Sequence, residues 1–174
     1  GGLRKRLQIV FWTFLVGSAS LSALPLVTAG FYSKDLILWK AWSSPTGGLW
    51  LWLAGLFGAL ITSLYTFRMV FVTFFGKEKL GLSMKPRARM IVPLTILAAL
   101  SIVGGFVELP DTLGNLPVFS NFLESSLPPL AITEGLAERP LLYISAVVSL
   151  TGVFIAYILF LYNPQYVKNF VSRP

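Results

Sequence analysis

Leu24-Pro25-Leu26-Val27-Thr28-Ala29-Gly30-Phe31-Tyr32-Ser33-Lys34-Asp35-Leu36-Ile37-Leu38-Trp39-Lys40-Ala41-Trp42 decides the reading of this chain, because it sets Pro25, Gly30, Lys34 and Asp35 inside an otherwise apolar run. Pro25 has no backbone N–H to donate and its ring crowds the preceding turn, and Thr28-Ala29-Gly30 is a weak continuation. The pattern therefore predicts a helix interrupted near Pro25 to Gly30, with Lys34 just beyond the interruption. Ion transporters place charge-binding groups at such breaks in membrane helices. The apolar run extends from about Leu7 to Trp42, and roughly 36 helical residues at ~1.5 Å each would reach ~54 Å against a hydrocarbon core of ~30 Å. The excess must go into the break at Pro25 to Gly30, into lateral displacement, or into a half-helix lying at the surface.

The whole chain is built for the same environment. Of its 174 residues, 55% are hydrophobic and only 12% charged, and its mean hydropathy is +0.75, well beyond a soluble domain of this size. The expected fold class is all-α, a polytopic transmembrane helix bundle with about four spanning helices. After the broken segment come Leu49 to Phe75, rich in the small residues Ala54, Gly55, Gly58 and Ala59, then Ile91 to Val107, with Pro93 expected in its first turn, then Leu141 to Tyr162, opened by Pro140 and stopped by Asn163-Pro164. The opening Gly1-Gly2-Leu3-Arg4-Lys5-Arg6 has no initiating Met or secretory signal and reads as a connecting loop, so the chain is expected to be a piece of something longer.

The charges orient the bundle. Arg4, Lys5, Arg6, Lys77, Lys79, Lys85, Arg87, Arg89, Lys168 and Arg173 all fall on one side if the chain crosses four times, and that side is then cytoplasmic. The other side carries Lys40 and Arg139 against Glu108, Asp111, Glu124, Glu134 and Glu138. The formal net charge of +7 thus orients the protein in a bilayer, and nucleic acid is not an expected partner. Within the Pro-rich outer loop at about 109–140, Val118 to Glu124 has the spacing of a short interfacial helix, and Trp39, Trp42, Trp50 and Trp52 read as an aromatic belt at the outer surface.

With no Cys and no His, thiol redox chemistry, disulfides, iron–sulfur ligation and His-based metal or proton sites are excluded within this chain. Ion chemistry falls to Lys, Arg, Asp, Glu and hydroxyls. A Lys ammonium ordinarily holds its proton to about pH 10.4, and removal from water disfavours the charged form, which makes a sealed Lys a usable proton carrier. Lys34 is the first candidate, with Asp35 as an acidic neighbour acting in the opposite sense and Thr28 and Ser33 as hydroxyls for a water chain. The rival reading has Lys34 snorkelling to the outer interface as Lys40 does. Arg68, in Ser63-Leu64-Tyr65-Thr66-Phe67-Arg68-Met69, either faces a polar path with Thr62, Tyr65 and Thr66 or snorkels to the cytoplasmic interface.

Ala23-Leu24-Pro25-Leu26-Val27-Thr28-Ala29-Gly30-Phe31-Tyr32-Ser33-Lys34-Asp35, then Ser63 to Met69, then Gly76-Lys77-Glu78, in this order and spacing, resemble the C-terminal part of the L subunits of bacterial respiratory complex I, the proton-translocating NADH:quinone oxidoreductase. These belong to the antiporter-like family that also includes Mrp-type cation/proton antiporters. The likeness is strong from Gly1 to Lys79 and rests on hydropathy alone in the last two spans. It implies that residues 1–75 form the end of the second antiporter-like repeat, and residues 76–174 accessory helices. It also implies that Lys34 is the terminal proton carrier of an outward half-channel, with Asp35 its acidic neighbour and Arg68 an Arg near the polar axis. FMN, iron–sulfur clusters and quinone would belong to partner subunits, with no cofactor in this chain. Its partners would be the other membrane subunits, above all the neighbouring antiporter-like one, and the lipid bilayer, in a bacterial inner membrane with the 109–140 loop periplasmic. An Mrp-type Na⁺/H⁺ antiporter subunit and a non-transporting membrane scaffold are the rival functions.

Overall fold

In the computed structural model, residues 1–25, 28–43, 47–76, 87–109, 116–117 and 138–165 are described. Helices α1 (Gln8–Leu21) and α2 (Ala29–Ser43) are followed by α3 (Leu49–Phe74), then α4 (Ala88–Val103), which tightens into a 3₁₀ turn at Gly104–Val107. The last helix, α5 (Glu138–Tyr157), runs on as a π turn at Ile158–Tyr162. The one departure from an all-helical chain among the described residues is a two-residue antiparallel pairing of β1 (Glu108–Leu109) with β2 (Leu116–Pro117). The expected interfacial helix at Val118 to Glu124 lies outside the described residues, as do Lys77, Lys79, Lys85, Lys168 and Arg173.

Three stretches, Leu49–Phe74, Ala88–Phe106 and Pro140–Tyr162, are long and apolar enough to cross a membrane unaided. Helices α1 and α2 lie end to end along α3 and antiparallel to it. At one end the Arg4 N–H donates to the Phe74 carbonyl at 3.2 Å and the Phe11 and Phe74 rings meet edge to face at 5.2 Å. At the other, Trp42 meets Trp52 at 5.6 Å and Leu38 packs with Trp52 and Leu56. Midway, Ser63 Oγ of α3 donates to the Ser22 carbonyl at the break, at 3.3 Å.

The break falls around Pro25, between α1 and α2, and α1 is closed before it in a specific way. After Ser22 the backbone of Ala23 turns left-handed, with φ 55°. The Ala23 N–H then bonds the Ser20 carbonyl and the Leu24 N–H reaches back to that of Ala19, both at 3.0 Å. This is the paired closure that usually ends a helix at glycine, here made with alanine. Helix α1 therefore ends at Leu21 and α2 begins at Ala29, so Gly30 sits in the first turn of α2. The reason for glycine there is contact. A Cβ on Gly30 would collide with the Ser20 carbonyl, and its N–H donates to Ser20 Oγ at 3.3 Å.

Two smaller expectations also change. Helix α4 starts at Ala88, so Pro93 lies in its second turn and cannot donate to the Arg89 carbonyl. Trp50 is 82% exposed, as a belt residue should be, but Trp52 is buried against Leu38 and Leu56. Helix α5 presents Ser145, Ser149, Gly152 and Ala156 along one buried face, a run of small residues that lets helices approach closely without hydrophobic drive from water. A Cβ on Gly152 would lie 2.7 Å from Ser63 Cβ and 2.8 Å from the Leu60 carbonyl oxygen, so α5 and α3 touch backbone to side chain here.

Candidate functional site

The break leaves polar groups inside an apolar bundle. Ser22, Thr28, Ser63 and Thr66 are all 1% exposed or less. Thr28 Oγ1 turns back to the Leu24 carbonyl at 3.0 Å, and Ser63 Oγ also reaches the Ala59 carbonyl at 3.0 Å. Ser22 Oγ and Thr66 Oγ1 have no hydrogen-bond partner among the described residues. Buried hydroxyls of this kind are ready to hold water.

Lys34 follows in the second turn of α2 and is half-buried. It lines two spaces. One is an open groove of ≈ 530 Å³ whose wall includes Ser20, Ser33, Thr62, Tyr65 and Ser101. The other is a small cavity of ≈ 10 Å³ that it shares with Asp35, Ser145 and Ser149 and with the apolar Ala23, Phe31, Leu38 and Ala59. Lys34 is the residue common to both linings, so it stands between a wide open groove and a narrow pocket.

Asp35 points toward α5, where its Oδ1 accepts a hydrogen bond from Ser145 Oγ at 2.9 Å. The two adjacent residues thus share the small cavity while Lys34 alone also faces the groove. Arg68 lies elsewhere. It is exposed on α3, its guanidinium 5.3 Å from the centre of the Phe160 ring, and it lines neither space. Of the hydroxyls named with it, Tyr65 and Thr62 belong to the groove wall and Thr66 is buried. Sequence reasoning missed Ser145 and Ser149, whose signal was their place on the small-residue face of α5 together with Gly152 and Ala156.

Among the described residues no group of His, Cys, Asp and Glu could hold a metal ion. The groups gathered around Lys34 are an amine, a carboxylate and the side chains of Ser, Thr and Tyr.

Comparison with known proteins gives this geometry its context. Residues 1–62 match the family model described as NADH:quinone oxidoreductase/Mrp antiporter, transmembrane. NADH-quinone oxidoreductase subunit L of Escherichia coli is 47% identical over 135 residues, covering 78% of this chain and 22% of that protein. Subunit L of Pseudomonas aeruginosa is 40% identical over 168 residues, 97% of this chain and 25% of that protein. NADH-ubiquinone oxidoreductase chain 5 of the fungus Schizophyllum commune is 30% identical over 182 residues, 99% of this chain and 26% of that protein. The chain spans about a quarter of the length of the curated relatives it matches. A broken helix carrying Lys34 and Asp35, three further apolar helices and this pattern of likeness agree: the chain belongs to the NADH:quinone oxidoreductase/Mrp antiporter family of membrane proteins.

Proposed function

We propose that this chain is the C-terminal portion of a proton-translocating L-type subunit of NADH:quinone oxidoreductase, and that it supplies the outward exit half of a proton pathway. The observation that carries the reading is the position of Lys34, past a helix break and between an open groove that Ser, Thr and Tyr residues help to line and a narrow pocket shared with Asp35. A proton arriving along the groove protonates the Lys34 amine, and the ammonium passes it on at the Asp35 side. Arg68 takes no direct step and contributes a fixed positive charge, seated on Phe160, near the inner end of α3. Residues 1–75 act as the end of the second antiporter-like repeat and residues 76–174 as accessory helices. NADH oxidation, with FMN, iron–sulfur clusters and quinone, belongs to partner subunits, and a neighbouring antiporter-like subunit is the membrane partner. The protein sits in a bacterial inner membrane with its basic loops cytoplasmic and the 109–140 loop periplasmic, as its charge distribution favours. Relatives along nearly the whole chain carry the names of complex I subunits, which favours this reading over an Mrp-type antiporter.

The test is proton pumping in membrane vesicles containing the assembled enzyme. Lys34→Ala lowers pumping and NADH:quinone turnover together, whereas Lys40→Ala, on the same helix, changes neither. Equal tolerance of both substitutions would remove the relay role.

A further inference from the structure

We propose that α5, which lies outside the stretch matched by the family model, completes the Lys34–Asp35 site, with Ser145 as a positioning residue for the Asp35 carboxyl and a single internal water linking it to Lys34. The inference rests on Lys34 being the proton carrier. Three observations support it. Ser145 and Ser149, 6% and 2% exposed, bring their hydroxyls from α5 to the same cavity that Lys34 and Asp35 line from α2. The volume of that cavity, ≈ 10 Å³, is about what one water requires, and within its mostly apolar wall Lys34, Asp35, Ser145 and Ser149 offer such a water its partners. Ser145 Oγ lies 2.9 Å from Asp35 Oδ1 and 2.9 Å from the Leu142 carbonyl oxygen.

A serine hydroxyl has one proton to give and lone pairs to receive with. With Asp35 ionised, Ser145 donates to the carboxylate. With Asp35 protonated, the carboxyl O–H donates to Ser145 Oγ, and Ser145 swings its own proton to the Leu142 carbonyl. Both charge states are satisfied without moving a heavy atom, which is what a residue that gains and loses a proton needs from its holder. The transfer balances. An N–H bond of the Lys34 ammonium breaks, the water takes that proton and releases another to the carboxylate, and a neutral amine and a neutral acid remain.

The test uses the assembled enzyme in membrane vesicles, reading protons moved per NADH oxidised and the infrared carboxyl band of Asp35. Ser145→Ala lowers pumping about tenfold, the scale of losing one hydrogen bond to a charged group, and shifts the band, while Ser145→Thr restores both. Asp35→Asn combined with Ser145→Ala pumps no worse than Asp35→Asn alone, because the two act as one unit. An unmoved Asp35 band, or a threonine variant no better than alanine, would overturn the proposal, however well each variant assembles. Impaired pumping in Lys34→Ala beside normal pumping in Ser145→Ala sinks this inference and spares the relay. Normal pumping in Lys34→Ala sinks both.

Discussion

Helices α2 and α4 are nearly equal in length, at 15 and 16 residues, and the hydroxyls of both turn back to their own helix, Ser33 and Ser43 of α2 to the Gly30 and Trp39 carbonyls, yet α2 also ties other polar groups to neighbouring helices. In α4, Thr95 and Ser101 turn back to carbonyls of their own helix, those of Ile91 and Leu97, at 2.9 Å each, and none of its residues is buried. In α2, Phe31, Tyr32 and Leu38 are buried, the Gly30 N–H is bound by Ser20 of α1, and Asp35 is bound by Ser145 of α5. A polar group that closes on its own backbone solves a solvation problem for its helix. One tied to another helix fixes a relationship between elements, and that is where proton chemistry can be built.

The largest expected effect comes from removing the group that α4 lacks. Lys34→Ala should cut NADH-driven proton pumping in vesicles by about tenfold or more, the scale of losing one proton-transfer partner, whereas Thr95→Ala on α4 should leave it intact. Equal losses would erase the distinction between the helices. Next is the contact that seats α2. Gly30→Ala forces a methyl into the Ser20 carbonyl, and overpacking of this kind costs about 1–3 kcal/mol. It should appear as lower thermal resistance of the assembled subunit, and an unchanged unfolding temperature would mean that α1 and α2 are not locked together here.

Much of this arrangement was legible in the residues, and the reasons for the remainder are physical. Pro25, Gly30 and the charge of Lys34 announced a broken helix, and the apolar runs announced the spans, because both signals are local. The exact seat of the break was not legible, since nothing in the identity of Ala23 reveals that tertiary packing among Phe31, Tyr32 and Ala146 holds it in a left-handed conformation. Pro93 lies a turn deeper in α4 than its surroundings suggest, because helix starts carry weak marks when no capping side chain is used. Ser145 and Ser149 lie far along the chain from Asp35. Only the approach of α5, with Gly152 against Ser63, brings them to the site.

The left-handed alanine supplies a third and smaller test. Ala23→Val places a β-branched side chain where L-residues already lose about 1–2 kcal/mol, so the thermal midpoint of the assembled subunit should fall, while Ala23→Gly should hold or raise it. A valine variant as stable as wild type would mean that Ala23 does not end α1 in this way. The smallest effect is expected in α4. Thr95→Ala removes only a bond within its own helix and should change stability by no more than about 0.5 kcal/mol in the same melting experiment. A larger loss would mean that α4 is tied to its surroundings as α2 is.

Whether Lys34 serves as a fixed charge or as a proton carrier is decided most directly by Lys34→Arg, because a guanidinium keeps the positive charge but does not release its proton. Measured as protons moved per NADH oxidised by the assembled enzyme in vesicles, Lys34→Arg should fail as Lys34→Ala does. Wild-type stoichiometry with arginine in place would show that charge alone suffices, and Lys34 would then not be the carrier.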